Sequence, residues 1–252
     1  MKIFCFSYNN QVFHGVCDQK FAYKIETSIF DDNIKVSADE KIKLSDCDLL
    51  NPIIPGKVVA IAQNYKSTKE LPKDFEPIVF IKSANTICAS SKKIKLPNQL
   101  KTWGEPELGF VIKKKAFNIA FENALDYILG FITSNDITCS NVLGRDHHLA
   151  RSKSMDNFCP IGDYIDINYD FRSKMVCSYH NDLLLRKGST SEMFWGPEKI
   201  VSELSKWMTL EEGDIILTGA PNRVRDRQYL LPGDRFRVEI EGFPPLISDF
   251  YD

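Results

Sequence analysis

The stretch Thr102-Trp103-Gly104-Glu105-Pro106-Glu107-Leu108-Gly109-Phe110-Val111-Ile112 sets an acidic pair at the head of an apolar run. Read as a strand, it sends alternate side chains to opposite faces, so Glu105 and Glu107 point the same way from neighbouring pleats. Two carboxylates on one face repel unless something neutralises them. The pair is therefore either a solvated strand face or one side of a cation site. Pro106 between them cannot donate to a β ladder, which places the start of the strand here or sets it along an edge beside a cavity.

Outward from this stretch, most of the chain reads as short strands. Residues 2–7, 11–17 and 21–25 are β-like runs, the first two separated by the turn Tyr8-Asn9-Asn10. Residues 1–52 are predicted to form a small β-rich N-terminal domain. Two prolines and a glycine in Asn51-Pro52-Ile53-Ile54-Pro55-Gly56 mark its boundary with a larger domain over 56–252. Residues 58–62 read as a buried strand delivering Gln63-Asn64-Tyr65 to its end, and residues 78–81 as a second one ending at Lys82. The polar, proline-interrupted segment 66–74 between them reads as a mobile loop or a short helical lid. Residues 94–97 suggest a short edge strand. Asn118 is placed to cap a short helix through Phe121, Ala124 and Tyr127, after which residues 128–133 lead to Asp136.

Further on, a hairpin is expected from residues 175–179 and 183–186 around His180-Asn181-Asp182. Pro197 suits the first position of a helix whose Ile200, Val201, Leu204, Trp207 and Met208 recur at helical spacing and belong to core packing. Turns at Glu212-Gly213-Asp214, Pro232-Gly233-Asp234 and Glu241-Gly242 punctuate the terminal strands. The fold class is thus α+β and β-dominated.

The chain has 252 residues with a formal net charge of -2, and its basic residues fall in short separated runs, so nothing points to nucleic acid. Seven cysteines without Cys-x-x-Cys spacing suggest neither a zinc knuckle nor a disulfide framework; reduced thiols in a cytoplasmic protein are the simplest account. The N-terminal apolar run breaks too early for a signal peptide, and no run is long enough to span a bilayer. With no glycine-rich dinucleotide fingerprint or phosphate-binding loop, nucleotide chemistry leaves the field.

Several blocks occur in a particular order: residues 56–65, the acidic strand, Gly130-Phe131-Ile132-Thr133-Ser134-Asn135-Asp136-Ile137-Thr138, Lys153-Ser154-Met155-Asp156-Asn157-Phe158-Cys159-Pro160-Ile161-Gly162, and Leu217-Thr218-Gly219-Ala220-Pro221. From about Gly56 to the C-terminus this set resembles the fumarylacetoacetate hydrolase family. The resemblance implies a rolled, barrel-like catalytic domain and a homodimer, while charge and hydropathy give no nucleic-acid or membrane partner. It implies also that Glu105, Glu107 and Asp136 hold Mg²⁺ or Mn²⁺, which suits hard oxygen donors with open positions. Lys153 matches an active-site lysine, and Thr218 a threonine that meets a substrate carboxylate by hydroxyl or backbone N–H. Tyr65, Lys82, Arg186 and Gly219 fall among the substrate-binding positions, although Tyr65 reads equally well as a buried tyrosine.

Some positions depart from the family pattern. Thr68 stands where the family commonly has histidine, and Leu71 where it has that histidine's acidic partner, beside Glu70. Threonine cannot take a proton near neutral pH. Ser140 and Leu143 replace an arginine and a glutamine, while Arg186 stands where a glutamine is common and Arg145 lies near Ser140. His147 and His148 are the candidates for a replacement base.

The expected activity is metal-dependent cleavage, by hydrolysis or decarboxylation, of a carbon-carbon bond in a small 2-oxo or 2,4-dioxo acid through an enolate. An isomerase or tautomerase of a 2-hydroxy-dienoate or 2-oxo acid needs no activated water and is the alternative. A metal- or ligand-binding protein with a degenerate site is the third reading.

Overall fold

The computed structural model describes residues 1–66, 75–90 and 92–252. The lid expected over 66–74 lies, apart from Lys66, outside the described residues, as do Thr68, Glu70 and Leu71.

A thirteen-stranded mixed sheet carries the molecule, and a five-stranded sheet packs beside it. Among the described residues the long sheet ends at Val36–Lys43 and Ile78–Lys82, so it does not close into a barrel. At its centre runs Pro106–Ile112, buried at every position, paired antiparallel on one side with Ile128–Asn135 and on the other with Ile215–Leu217. Ile215–Leu217 in turn pairs parallel with Val58–Ala62. Strands covered on both faces read as continuous apolar runs rather than alternating ones, which is what 108–112, 128–133 and 215–217 show. Pro106 opens its strand, where the missing N–H costs no central ladder bond, so the strand is central and not an edge.

The five-stranded sheet is built on the expected hairpin, Met175–His180 with Leu183–Ser189. Asn181 and Asp182 both have positive φ, the conformation that two-residue hairpin turns require. Arg235–Ile240 and Leu246–Tyr251 extend it, and Lys93–Lys95 adds a parallel edge. Aromatic and aliphatic side chains from both sheets, among them Phe110, Phe131, Phe236 and Phe250, fill the main core between them.

The N-terminal strands Lys2–Tyr8, Gln11–Cys17, Phe21–Ile25 and Val36–Lys43 form a meander with a small core of Phe4, Phe6, Ala22 and Ile42. Lys2 and Ile3 also pair with Asp166 and Ile165, and Ile3 and Ile29 enter the core of the larger unit. The N-terminal meander is therefore continuous with the long sheet.

Two local expectations change. Phe121–Tyr127 is a 3-10 helix with Ala120 at its N-cap; Asn118 takes a left-handed backbone and gives its N–H to Ser205 O instead of capping. The helix Pro197–Ser205 has its proline in the first turn and buries Ile200, Val201 and Leu204, but it stops before Trp207, which is 60% exposed. All seven cysteines are free thiols, and no helix among the described residues is long and apolar enough to cross a membrane.

Candidate active site

The central strand and its neighbour bring Glu105, Glu107 and Asp136 into one cluster. Asp136 follows the end of Ile128–Asn135, and its N–H donates to Glu105 O at 2.8 Å. Glu105 is held from the other side by Asn135, whose Oδ1 accepts the Glu105 N–H at 3.0 Å. Gly104 makes room for this: a Cβ there would lie 2.6 Å from the Phe236 ring and 2.8 Å from Asn135 Oδ1. Asn135, quoted in the sequence block but assigned no role, is thus the residue that aligns the two acidic segments.

Lys153 ends the single helical turn Ala150–Lys153. Asp146 organises that turn by accepting the N–H groups of Arg151 at 3.2 Å and Ser152 at 2.6 Å, satisfying donors that a helix start leaves open. The Lys153 ammonium reaches Glu105 Oε2 at 3.2 Å and donates to Asp136 Oδ2, over the face of Phe80. Lys82, fully buried, donates to Asp136 Oδ1 at 2.6 Å and to Ile137 O at 3.1 Å. Arg186 donates to Glu105 Oε1 at 2.5 Å and to Pro221 O at 2.6 Å.

The three carboxylates differ sharply in environment. Burial works against the charge of Asp136, but Lys153 and Lys82 outweigh it and hold its carboxyl below the usual range. Burial also opposes the charge on Lys153, and Asp136 and Glu105 reverse that, raising its ammonium above the ordinary lysine value. Among the described residues Glu107 has no ion-pair partner. Its Oε2 accepts the Gly219 N–H at 2.7 Å, while burial and the neighbouring Asp136 push its carboxyl well above the usual range. Glu105 is the one acid of the three with a side chain appreciably open to solvent, 18% against 1% for Asp136.

Three hard oxygen donors gathered in this way suit a divalent cation, which would neutralise the repulsion that Glu107 feels from Asp136 and Glu105. In the present arrangement the Lys153 ammonium bridges Glu105 and Asp136, and among the described residues no three His, Cys, Asp or Glu side chains are disposed to hold a metal.

These contacts engage several groups that the sequence reading placed toward substrate. Both Thr218 donors face inward, with N–H and Oγ1 giving to Leu108 O at 3.0 and 2.8 Å, because Thr218 continues Ile215–Leu217 alongside the central strand. The Gly219 N–H donates to Glu107 and Lys82 to Asp136, so each holds one of the acids in place. Tyr65 is buried beside Glu107, its hydroxyl without a hydrogen-bond partner among the described residues, and stands as a wall of the site. His147 and His148 are exposed on the turn preceding Ala150–Lys153 and make no hydrogen bond to the cluster. Arg223 and Arg227 had no role assigned from sequence, yet their charges bear on Arg186. A run of three arginines at alternating positions after Pro221 was the signal for them.

The profile of the fumarylacetoacetate (FAA) hydrolase C-terminal domain matches residues 57–250. The chain belongs to the fumarylacetoacetate hydrolase family. Within this family it is 32% identical over 240 residues to the fumarylacetoacetate hydrolase domain-containing protein 2 homolog of Dictyostelium discoideum, covering 84% of this chain and 76% of the relative. The fold is similar to 5-carboxymethyl-2-hydroxymuconate delta-isomerase from Mycobacterium smegmatis, with a TM-score of 0.90, 26% identity, and 100% and 99% of the two chains covered. It is also similar to a fumarylacetoacetate hydrolase from Exiguobacterium antarcticum, with a TM-score of 0.87, 29% identity and the same coverage. Fumarylacetoacetate hydrolase family members thus include both isomerases and hydrolases among the relatives of this chain.

Proposed function

We propose that the protein is a divalent-metal-dependent enzyme that cleaves a carbon-carbon bond of a small 2-oxo or 2,4-dioxo acid, by hydrolysis or decarboxylation, through an enolate. The observation that carries this reading is the buried cluster in which Lys153 spans Glu105 and Asp136 next to Glu107, whose carboxyl burial and Asp136 push upward. Glu105, Glu107 and Asp136 would hold Mg²⁺ or Mn²⁺, which supplies Lewis acidity toward the substrate oxygens. Lys153, the cation that bridges two of the three carboxylates, stabilises negative charge developing on a substrate oxygen. Lys82 and the Gly219 N–H keep Asp136 and Glu107 oriented, and Tyr65 closes one side against water.

Turnover of acylpyruvates, oxaloacetate and a fumarylacetoacetate-like diketo acid, with Mg²⁺ or Mn²⁺ and then with a chelator, tests this reading. Metal-dependent cleavage that vanishes in Glu107→Ala is expected; activity indifferent to chelator would sink it.

Isomerisation is the second reading. The likeness to the Mycobacterium smegmatis isomerase favours it, as does Thr68 at the position where family resemblance expects a base for activating water. Entry of solvent deuterium into substrate without cleavage would select it.

A further inference from the structure

Two carboxylates of the cluster have both of their oxygens engaged by cations. On Asp136, Oδ1 accepts from Lys82 at 2.6 Å and Oδ2 accepts from Lys153. On Glu105, Oε1 accepts from Arg186 at 2.5 Å and Oε2 from Lys153 at 3.2 Å. Even with Glu107 counted as charged, three anions therefore face three cations. All three cations are buried.

More positive charge stands behind Arg186. Arg223 bridges it from the segment after Pro221, and Arg227 lies over Trp103, two residues before Glu105, with its guanidinium 3.9 Å from the ring centre. Burial lowers the Arg186 guanidinium below its ordinary value; Glu105 and Glu107 oppose that shift, while Arg223 and Arg227 add to it.

A divalent ion on Glu105, Glu107 and Asp136 brings two positive charges to a cluster already neutral, and it shares Glu105 with a guanidinium in contact. Arg186 is anchored there. Its Nη1 donates to Pro221 O at 2.6 Å, and its backbone is paired with Ser178 on one side and Arg223 on the other. Like charges in a buried site are little screened, so the guanidinium opposes the ion, and an anion arriving with the ion removes the excess. Among the three cations, Arg186 is also the one whose loss leaves both acids paired, since Glu105 keeps Lys153 and Asp136 keeps Lys82 and Lys153.

We propose that Arg186 sets the affinity of the site for its divalent cation, holding it low until an anionic 2-oxo acid binds, so that the cation is taken up together with the substrate. This rests on the reading of Glu105, Glu107 and Asp136 as the ligands of the cation. Linkage makes the effect reciprocal: the factor by which the acid strengthens cation binding is the factor by which the cation strengthens binding of the acid.

The test uses Mn²⁺, followed by the electron paramagnetic resonance signal of the free ion, alone and with saturating pyruvate, a 2-oxo acid that complexes Mn²⁺ only weakly in water. The wild-type protein should bind Mn²⁺ about tenfold or more tightly with pyruvate than without. Arg186→Gln should bind Mn²⁺ alone about 10- to 100-fold more tightly than the wild type, and pyruvate should then add no more than about threefold. Arg186→Lys keeps the charge and should stay near the wild type, as should Arg235→Gln at the exposed pair with Asp249. Arg186→Met takes the place of Arg186→Gln if that variant does not fold. Equal Mn²⁺ affinity in the wild type and Arg186→Gln, or no effect of pyruvate on the wild type, overturns the inference and leaves the proposed reaction standing. Arg186→Lys binding Mn²⁺ as tightly as Arg186→Gln also overturns it, because the charge would then not be the cause. No Mn²⁺ bound by either protein with pyruvate present removes the inference and the metal-dependent reaction together.

Discussion

The backbone N–H of Gly219 lies 2.7 Å from Glu107 Oε2, the single hydrogen-bond donor found on that carboxylate among the described residues. Gly219 has φ of +92°, and a Cβ there would sit 2.7 Å from Ile61 O and 3.0 Å from Asn64 Cβ. Gly219→Ala is therefore expected to cost about 2–3 kcal/mol, a left-handed backbone strain plus a close contact with main chain, read as a lower urea midpoint. An unchanged midpoint would mean that the turn relaxes freely.

Lys82 and Asp136 form a fully buried ion pair, 0% and 1% exposed. Removing one partner of such a pair leaves a desolvated charge behind. Lys82→Met should lose about 3 kcal/mol of unfolding free energy, whereas Lys24→Met, at the meander surface, should lose under about 1 kcal/mol. Equal losses would contradict the account of Lys82 as the anchor of Asp136.

Glu107 and Asp136 should give opposite pH dependences in chelator. Glu107 holds its proton to a higher pH in the folded protein than in the unfolded chain, where it titrates near 4.5. Between those values the native state binds more protons, so stability falls as pH rises. Glu107→Gln removes this fall and should gain on the wild type as pH climbs above about 4.5, by about 1.4 kcal/mol per pH step of one until the folded carboxyl ionises. Asp136 contributes stability above its unfolded value of 3.8 that is lost as pH drops through its lowered folded value. Asp136→Asn should flatten that acid limb. Denaturant titrations across pH 3 to about 8 read both.

Saturating Mg²⁺ or Mn²⁺ is expected to stabilise the protein. At a hundredfold excess over Kd the gain is about 2.7 kcal/mol, or roughly 5–10 °C in Tm for a chain of this size. Glu107→Ala should abolish the shift. A shift that survives in Glu107→Ala would place the ion elsewhere.

Much of this architecture is legible in the sequence because its signals are local. The head of the central strand is marked by Pro106, the hairpin by Asn181 and Asp182, and the helix start by Pro197. The convergence of Glu105, Glu107 and Asp136 follows from family resemblance joined to strand alternation. What escapes depends on who receives a hydrogen bond. Thr218 and Lys82 carry groups suited to a ligand, yet they donate to Leu108 O and Asp136, partners 110 and 54 residues away in sequence. Asn118 fails as a cap for the same reason, its N–H being drawn to Ser205 O. Arg227 gains its meaning only from the indole of Trp103, which lies more than a hundred positions earlier in the chain.

The pairing of Lys2 and Ile3 with Asp166 and Ile165 gives the N-terminal meander a protective duty. Cut at the proline-rich boundary, the remaining chain would bare the backbone of Ile165 and Asp166 and uncover the apolar surface that Ile3 and Ile29 now fill. Such an edge is a template for a foreign strand. The first fifty residues therefore cover an edge and an apolar face that the larger unit would otherwise expose, and that unit alone is expected to aggregate.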